Sequence, residues 1–284
     1  MLNHGLPRRT YGFSLIELAI GLTVVAALLA GLLVPLSKQL EQRRTTETQR
    51  LLLEAREALL AFAMGNRRLP CPASATSNGV ESFVAPNDPS TGVCETFKGF
   101  LPGVTLGLSP VDARGYVPDG WGDPAATTAT EANAQNRIRY AVMNPTVSVN
   151  SATFFFTRAP PQGMVMAGIQ GIAGEAALNR FLSICGGGAT GLTGCNNGSV
   201  SLANGNAIAV IWSVGANGYL SGTSTEPDSP SPDEVVNLDM LDTQRTWNTR
   251  PYSTGGTSGR FDDQIVWISA PLLLSRMVAA GALP

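Results

Sequence analysis

The chain has 284 residues, a formal charge of −2 and only 14% charged residues, room for one large or two modest domains. A weakly acidic, sparsely charged chain lacks the basic footprint that nucleic-acid binding needs. Its single histidine is His4, so a chain cut after residue 12 would keep none for a Ser-His-Asp, Cys-His or His-ligated metal centre.

The first predicted element is a helix from Phe13 to about Met64, interrupted in principle only by Pro35, and roughly 75–80 Å long at about 1.5 Å per residue. Residues 13–36 are apolar on every side apart from Glu17, and are long enough to span a bilayer. An acid in such a segment costs about 2.5 kcal/mol or more, so Glu17 calls for a partner. An α-amino group created by cutting between Gly12 and Phe13 would lie one helical turn away. An ordinary secretory signal is a poor fit, because its cut follows the apolar run and Val34-Pro35-Leu36-Ser37 offers no small-x-small site. Arg8 and Arg9 hold the N-terminal side in the cytoplasm, which puts the rest outside. Residues 37–65 form the amphipathic half, with Leu52, Ala55, Leu59 and Phe62 on one face, and Gly65-Asn66 with Pro70 supplies the stop.

The stretch Gly12-Phe13-Ser14-Leu15-Ile16-Glu17-Leu18, preceded by Arg8 and Arg9, resembles the prepilin cleavage and methylation motif of type IV pilins and type II secretion pseudopilins. The resemblance implies a leader of residues 1–12, cleavage after Gly12 by a prepilin peptidase, and N-methylation of Phe13. It also implies that Glu17 guides assembly with other pilin or pseudopilin subunits. Further implied partners are an inner-membrane assembly platform and the lipid bilayer, with the head in the periplasm before incorporation into a pilus or pseudopilus. Without the leader, 19 basic residues less Arg8 and Arg9 face 21 acidic ones, a balance of about −4. Leu69-Pro70-Cys71-Pro72, Gly103 to Leu108, and Asp119-Gly120-Trp121-Gly122-Asp123-Pro124 leading to Arg139-Tyr140-Ala141-Val142 resemble the heads of larger pilin-like proteins.

Residues 66–284 read as one head rich in turn formers, in keeping with 31 glycines and 19 prolines. Strands are expected at Arg137–Met143, Ala152–Thr157, Ala207–Val214 and Gln264–Ser269, with a short helix at Gly174–Ile184. Gly222–Pro232 reads as a loop, and Pro271 to Val278 as a final helix opened by its proline. The whole is an α+β fold: a long N-terminal helix against a small antiparallel sheet with irregular, disulfide-closed loops. Cys71, Cys94, Cys185 and Cys195 allow three pairings in an exported domain. The local pairs, Cys71 with Cys94 and Cys185 with Cys195, are favoured because each closes a loop with little else to hold it. No C-x-x-C supports zinc.

Gly186, Gly188 and Gly191 satisfy G-x-G-x-x-G, but they follow a predicted helix and lie between cysteines, so a plain loop is the better reading. Trp121, Trp212 and Trp267 form a conceivable sugar platform, though Trp212 and Trp267 lie in apolar strands and read as core. Lys38 and Lys98, the two lysines, stand in no S-x-x-K, and no enzyme activity is expected. Ser213-Val214-Gly215-Ala216-Asn217-Gly218 and Asp262-Asp263 resemble the calcium-binding turn and acid pair of major pseudopilins. That makes Asn217, Asp262 and Asp263 the candidate Ca2+ ligands, with Asn217 standing where the family has an acid. The expected function is that of a structural minor pilin or pseudopilin; a tip adhesin on the same anchor is the alternative.

Overall fold

The structure is a computed structural model that describes residues 14–122, 136–143, 148–149, 152–153, 155–178, 180–188, 194–195, 200–216, 231–238, 245–254 and 260–283. The side chains at 29–37 fall outside that description. The chain divides into two compact units, Met1–Arg43 and Arg44–Pro284.

Helix α1 (Leu15–Asn66) is a single element that passes through Pro35. In the first unit its described side chains form no one-sided pattern: Leu15, Ile16, Leu18, Ile20, Leu22, Val24, Val25 and Leu28 are all more than half exposed. In the second unit the same helix becomes amphipathic, with Leu52, Ala55 and Leu59 fully buried and joined by Leu51, Leu60 and Ala63. Phe62 is half-buried and carries the Arg68 guanidinium over its ring at 5.0 Å. Glu47, Arg50 and Glu54 ladder along the opposite, solvent face at 2.7–2.8 Å.

The rest of the second unit is built on β6 (Ser201–Ser213), whose apolar run from Ala207 to Trp212 is wholly buried. β1 (Lys98–Phe100), α2 (Gly103–Leu106) and β2 (Arg139–Val142) precede it, with β3 (Ser148–Val149), β4 (Ala152–Thr153), α3 (Met164–Ala177) and β5 (Leu182–Cys185). After it come α4 (Pro232–Leu238), β7 (Thr246–Asn248), β8 (Ser253–Thr254), β9 (Arg260–Phe261), β10 (Gln264–Ser269) and α5 (Ala270–Ala279). The main sheet runs β1-β2-β6-β5-β7, with β10 paired to β6. β6 is long enough to take β2 at 209–212, β10 at 207–213 and β5 at 201–207.

The α+β class holds, and the sheet is mixed because β5 pairs with β7 in parallel. Two local expectations are corrected. The helix expected at Gly174–Ile184 lies earlier, at Met164–Ala177, and Leu182–Cys185 is a strand. Those residues are buried throughout between β6 and β7, so pairing outweighs their helix-like spacing. The strand expected over Ala152–Thr157 is confined to Ala152–Thr153, since Phe156 and Thr157 belong to a turn fastened by Thr157 Oγ1 donating to the Gly92 carbonyl at 2.5 Å. Of the expected loop at Gly222–Pro232, residues 222–230 lie outside the described residues, and Pro232 opens α4.

Disulfides join Cys71 to Cys94 and Cys185 to Cys195, the local pairs in both cases. Trp212 and Trp247 meet edge to face in the core at 5.4 Å, which leaves Trp212 no surface to offer a sugar.

Candidate functional site

Gly12 and Phe13 lie outside the described residues. Ser14, where the description begins, is joined to Glu17 by three hydrogen bonds. The Glu17 carboxylate accepts from the Ser14 amide at 3.0 Å and from its hydroxyl at 3.1 Å, while the Ser14 hydroxyl accepts from the Glu17 amide at 3.2 Å. This is a reciprocal cap, S-x-x-E, that satisfies orphan amides at the start of α1. It turns the carboxylate back toward the N-terminal end of the helix, the side on which Phe13 lies in sequence. Among the described residues no helix is long and apolar enough to cross a membrane.

A second constellation lies at the start of β10. Asp262 and Asp263 enter from the short link between β9 and β10, and Glu234 comes from the first turn of α4; ligand-capable oxygens of all three lie within 4.8 Å of one another. Sequence reasoning missed Glu234. Its signal was present in Ser231-Pro232-Asp233-Glu234, another S-x-x-E cap, in which the Glu234 carboxylate accepts from the Ser231 amide at 3.1 Å. Its second oxygen accepts from the Asp262 amide at 2.6 Å, which ties α4 to the acid pair. Asn217, the third candidate ligand, lies outside the described residues.

Each acid has a different environment. Asp262 accepts from the Ala216 amide at 3.0 Å and faces Arg260 at 3.1 Å through one oxygen. Its other oxygen, Oδ1, is buried with no hydrogen-bond partner. Gly215 stands against that oxygen with φ +65°; a Cβ there would collide with it, so glycine is required on two counts. Asp263 accepts from Asn237 at 2.7 Å, and Asn237 also holds the backbone of Asn248 at both its amide and its carbonyl. Burial raises the Asp262 carboxyl above the ordinary range, and burial together with the neighbouring Glu234 raises that of Asp263 well above it. Asp119, brought in from the Trp-Gly turn, accepts from Ser213 Oγ at 2.5 Å and from the amides of Trp121 and Gly122 at 2.9 Å each.

Three buried carboxylates supply hard oxygen donors, and an orphaned oxygen beside a glycine leaves one coordinating position unfilled, so the residues fit a calcium-sized cation. Binding one would also offset the burial, and after it the repulsion from Glu234, that make Asp263 hard to ionise. Both cysteine pairs are oxidised, so neither supplies a free thiol.

No curated protein and no solved structure matches the chain. Residues 7–33 match the family model described as the prokaryotic N-terminal methylation motif, a family of structural rather than enzymatic character. That match, on a chain with a long N-terminal helix and an α+β head, supports its recognition as a type IV pilin or pseudopilin family protein.

Proposed function

We propose that this chain is a minor pilin or pseudopilin: a precursor held in the inner membrane, cut after Gly12, N-methylated at Phe13 and assembled into a filament with its head outside the cytoplasm. The methylation motif over residues 7–33 carries the reading. In this scheme residues 1–12 are the leader, 13–36 the membrane and filament-core helix, 37–65 its amphipathic continuation and 66–284 the head. The Glu17 carboxylate, already turned toward the helix start by Ser14, meets the Phe13 ammonium of a neighbouring subunit. That pairing offsets the desolvation of both charges and fixes axial register. Apolar contact among segments of residues 19–36 then holds the bundle. The partners are a prepilin peptidase, other subunits and an inner-membrane platform.

N-terminal sequencing and intact mass of the protein, isolated from cells with a working peptidase, should begin at a methylated Phe13. A mature chain starting at Met1 overturns the reading. Glu17→Ala should be cleaved normally yet be scarce in sheared filaments.

The carboxylate cluster adds Ca2+ to this reading, with Glu234, Asp262 and Asp263 as its ligands and Asn217 as a neutral fourth. A bound divalent ion would pin α4 to the link before β10 and stiffen the head. Calcium at saturating concentration should raise the thermal midpoint of the full chain and lose that effect in Glu234→Gln. A midpoint that is indifferent to both calcium and EDTA removes the ion from the account.

A further inference from the structure

β2 (Arg139–Val142) is buried at all four positions, yet it opens with an arginine. A guanidinium in such a place is costly unless charge of opposite sign lies within reach, and an apolar residue would fill the space without that cost. The sheet shows where Arg139 points. It stands opposite Trp212 on β6, and direct partners across a ladder share a face. On that face the Trp212 indole donates to the Asn237 carbonyl of α4 at 3.1 Å, and the Asn237 side chain donates to Asp263 at 2.7 Å. Arg139 therefore faces the carboxylate cluster from the sheet, while Glu234, Asp262 and Asp263 reach it from α4 and the link before β10.

Arg139 is 7% exposed, and its Nε is buried with no hydrogen-bond partner. Burial draws its pKa below the ordinary arginine value, while the Asp263 carboxylate, and then that of Asp119, act through space in the other direction. Seen from the other side, Arg139 favours the ionised form of Asp263. The charges of the cluster do not balance within the protein. Asp119, Glu234, Asp262 and Asp263 are four acids, each less than a tenth exposed, against two guanidinium groups, those of Arg139 and Arg260. Alongside, Asp233 and Arg250 pair with each other at 3.3 Å. Fully ionised, the cluster falls two positive charges short, the charge of one calcium ion. Arg139 is the more deeply held of its two cations, since the Arg260 side chain, 3.1 Å from Asp262, is 18% exposed.

We propose that Arg139 is the resident counter-ion of this cluster, which lets the head fold without calcium and holds calcium affinity down. The inference rests on the calcium reading of Glu234, Asp262 and Asp263 and deepens it. A fixed guanidinium and a divalent ion repel one another, and more strongly where water is excluded, so the arginine weakens binding of the ion whose charge it partly supplies. Calcium then stiffens a head that is already formed and is not required to form one.

Detergent-solubilised full-length protein, stripped of metal with EDTA and then freed of it, is titrated with calcium by calorimetry, and thermal midpoints are read in EDTA and in saturating calcium. Arg139→Gln should bind calcium about tenfold or more tighter than wild type. Its midpoint should fall by about 5 °C or more in EDTA and recover most of that loss in calcium. Arg139→Lys keeps the charge and should keep the wild-type calcium affinity; a lysine variant that binds as tightly as Arg139→Gln overturns the inference. An arginine that merely fills space would lower the midpoint equally in both media and leave calcium affinity unchanged, which overturns it too. Wild type that ignores calcium while Arg139→Gln binds it removes the calcium reading of the native protein and supports the counter-ion role; if neither binds, both fall. Should Arg139→Gln fail to fold in either medium, the double variant Arg139→Gln/Asp263→Asn decides. A cooperative melt regained in EDTA supports the role, and none regained overturns it.

Discussion

Asp119 is held in a position that suits its shape better than its charge. Three donors converge on its carboxylate, yet burial dominates and pushes its pKa up to about 6 from the ordinary 3.8. The native state therefore grips this proton more tightly than the unfolded chain does. The associated stability is complete below about pH 4 and is lost as pH rises through about 6, a swing of about 3 kcal/mol. Asp119→Asn keeps an oxygen for the two amides and a polar group for Ser213 but cannot titrate. Relative to wild type it should gain stability between about pH 4 and pH 8 in urea unfolding, and parallel pH profiles for the two proteins would refute this. None of the association between Asp119 and Ser213 was visible in sequence, because 94 residues separate them. The same holds for Glu234 and Asp262, 28 residues apart. Asp262 was marked in the sequence by its place in the acid pair, but Glu234 alone reads as an ordinary surface acid; only the crossing of distant segments makes them a cluster.

Elements whose fate is set locally were readable, and those set by pairing were not. The spacing of Leu52, Ala55 and Leu59 marks the buried stripe of α1 without any knowledge of what covers it. β10 and α5 were equally plain: an apolar, β-branched run over Gln264–Ser269, then a helix at Ala270–Ala279 with Pro271 in its first turn. Leu182–Cys185 failed because a short apolar run is ambiguous until its neighbours are known, and β6 and β7 provide them. α4 went unread although Ser231 and Glu234 spell a helix start, since the surrounding Ser, Pro and Thr residues drew attention to loop chemistry instead. The stripe on α1 yields a contrast that can be measured. Leu59→Ala should cost about 2–5 kcal/mol in urea unfolding. Glu54→Ala, which ends an exposed ion pair on the other face, should cost under about 1 kcal/mol. Comparable losses from both would mean that the face is not the one packed into the core.

The whole molecule divides its labour along one continuous helix. In the first unit, side chains exposed on all sides suit a medium or neighbours outside this chain; in the second, the same helix supplies a wall of the core. Beside the apolar stripe, a polar seam joins that wall to the sheet. Thr48 is fully buried, donates to the Arg44 carbonyl at 2.9 Å and accepts from the Gly120 amide at 2.8 Å, where any side chain on Gly120 would strike the helix backbone. One residue earlier, Asp119 grasps Ser213 at the end of β6. Were the chain assembled into a fibre as proposed, this seam would be one route by which a tug on the helix reaches the sheet. Two links along it, Gly120 to Thr48 at 2.8 Å and Ser213 to Asp119 at 2.5 Å, are short, so the head should fail abruptly rather than stretch. Thr48→Val, which keeps the shape and deletes the donor and acceptor, should lower the rupture force in single-molecule pulling on the full chain. An unchanged rupture force would place the mechanical strength in the apolar stripe instead.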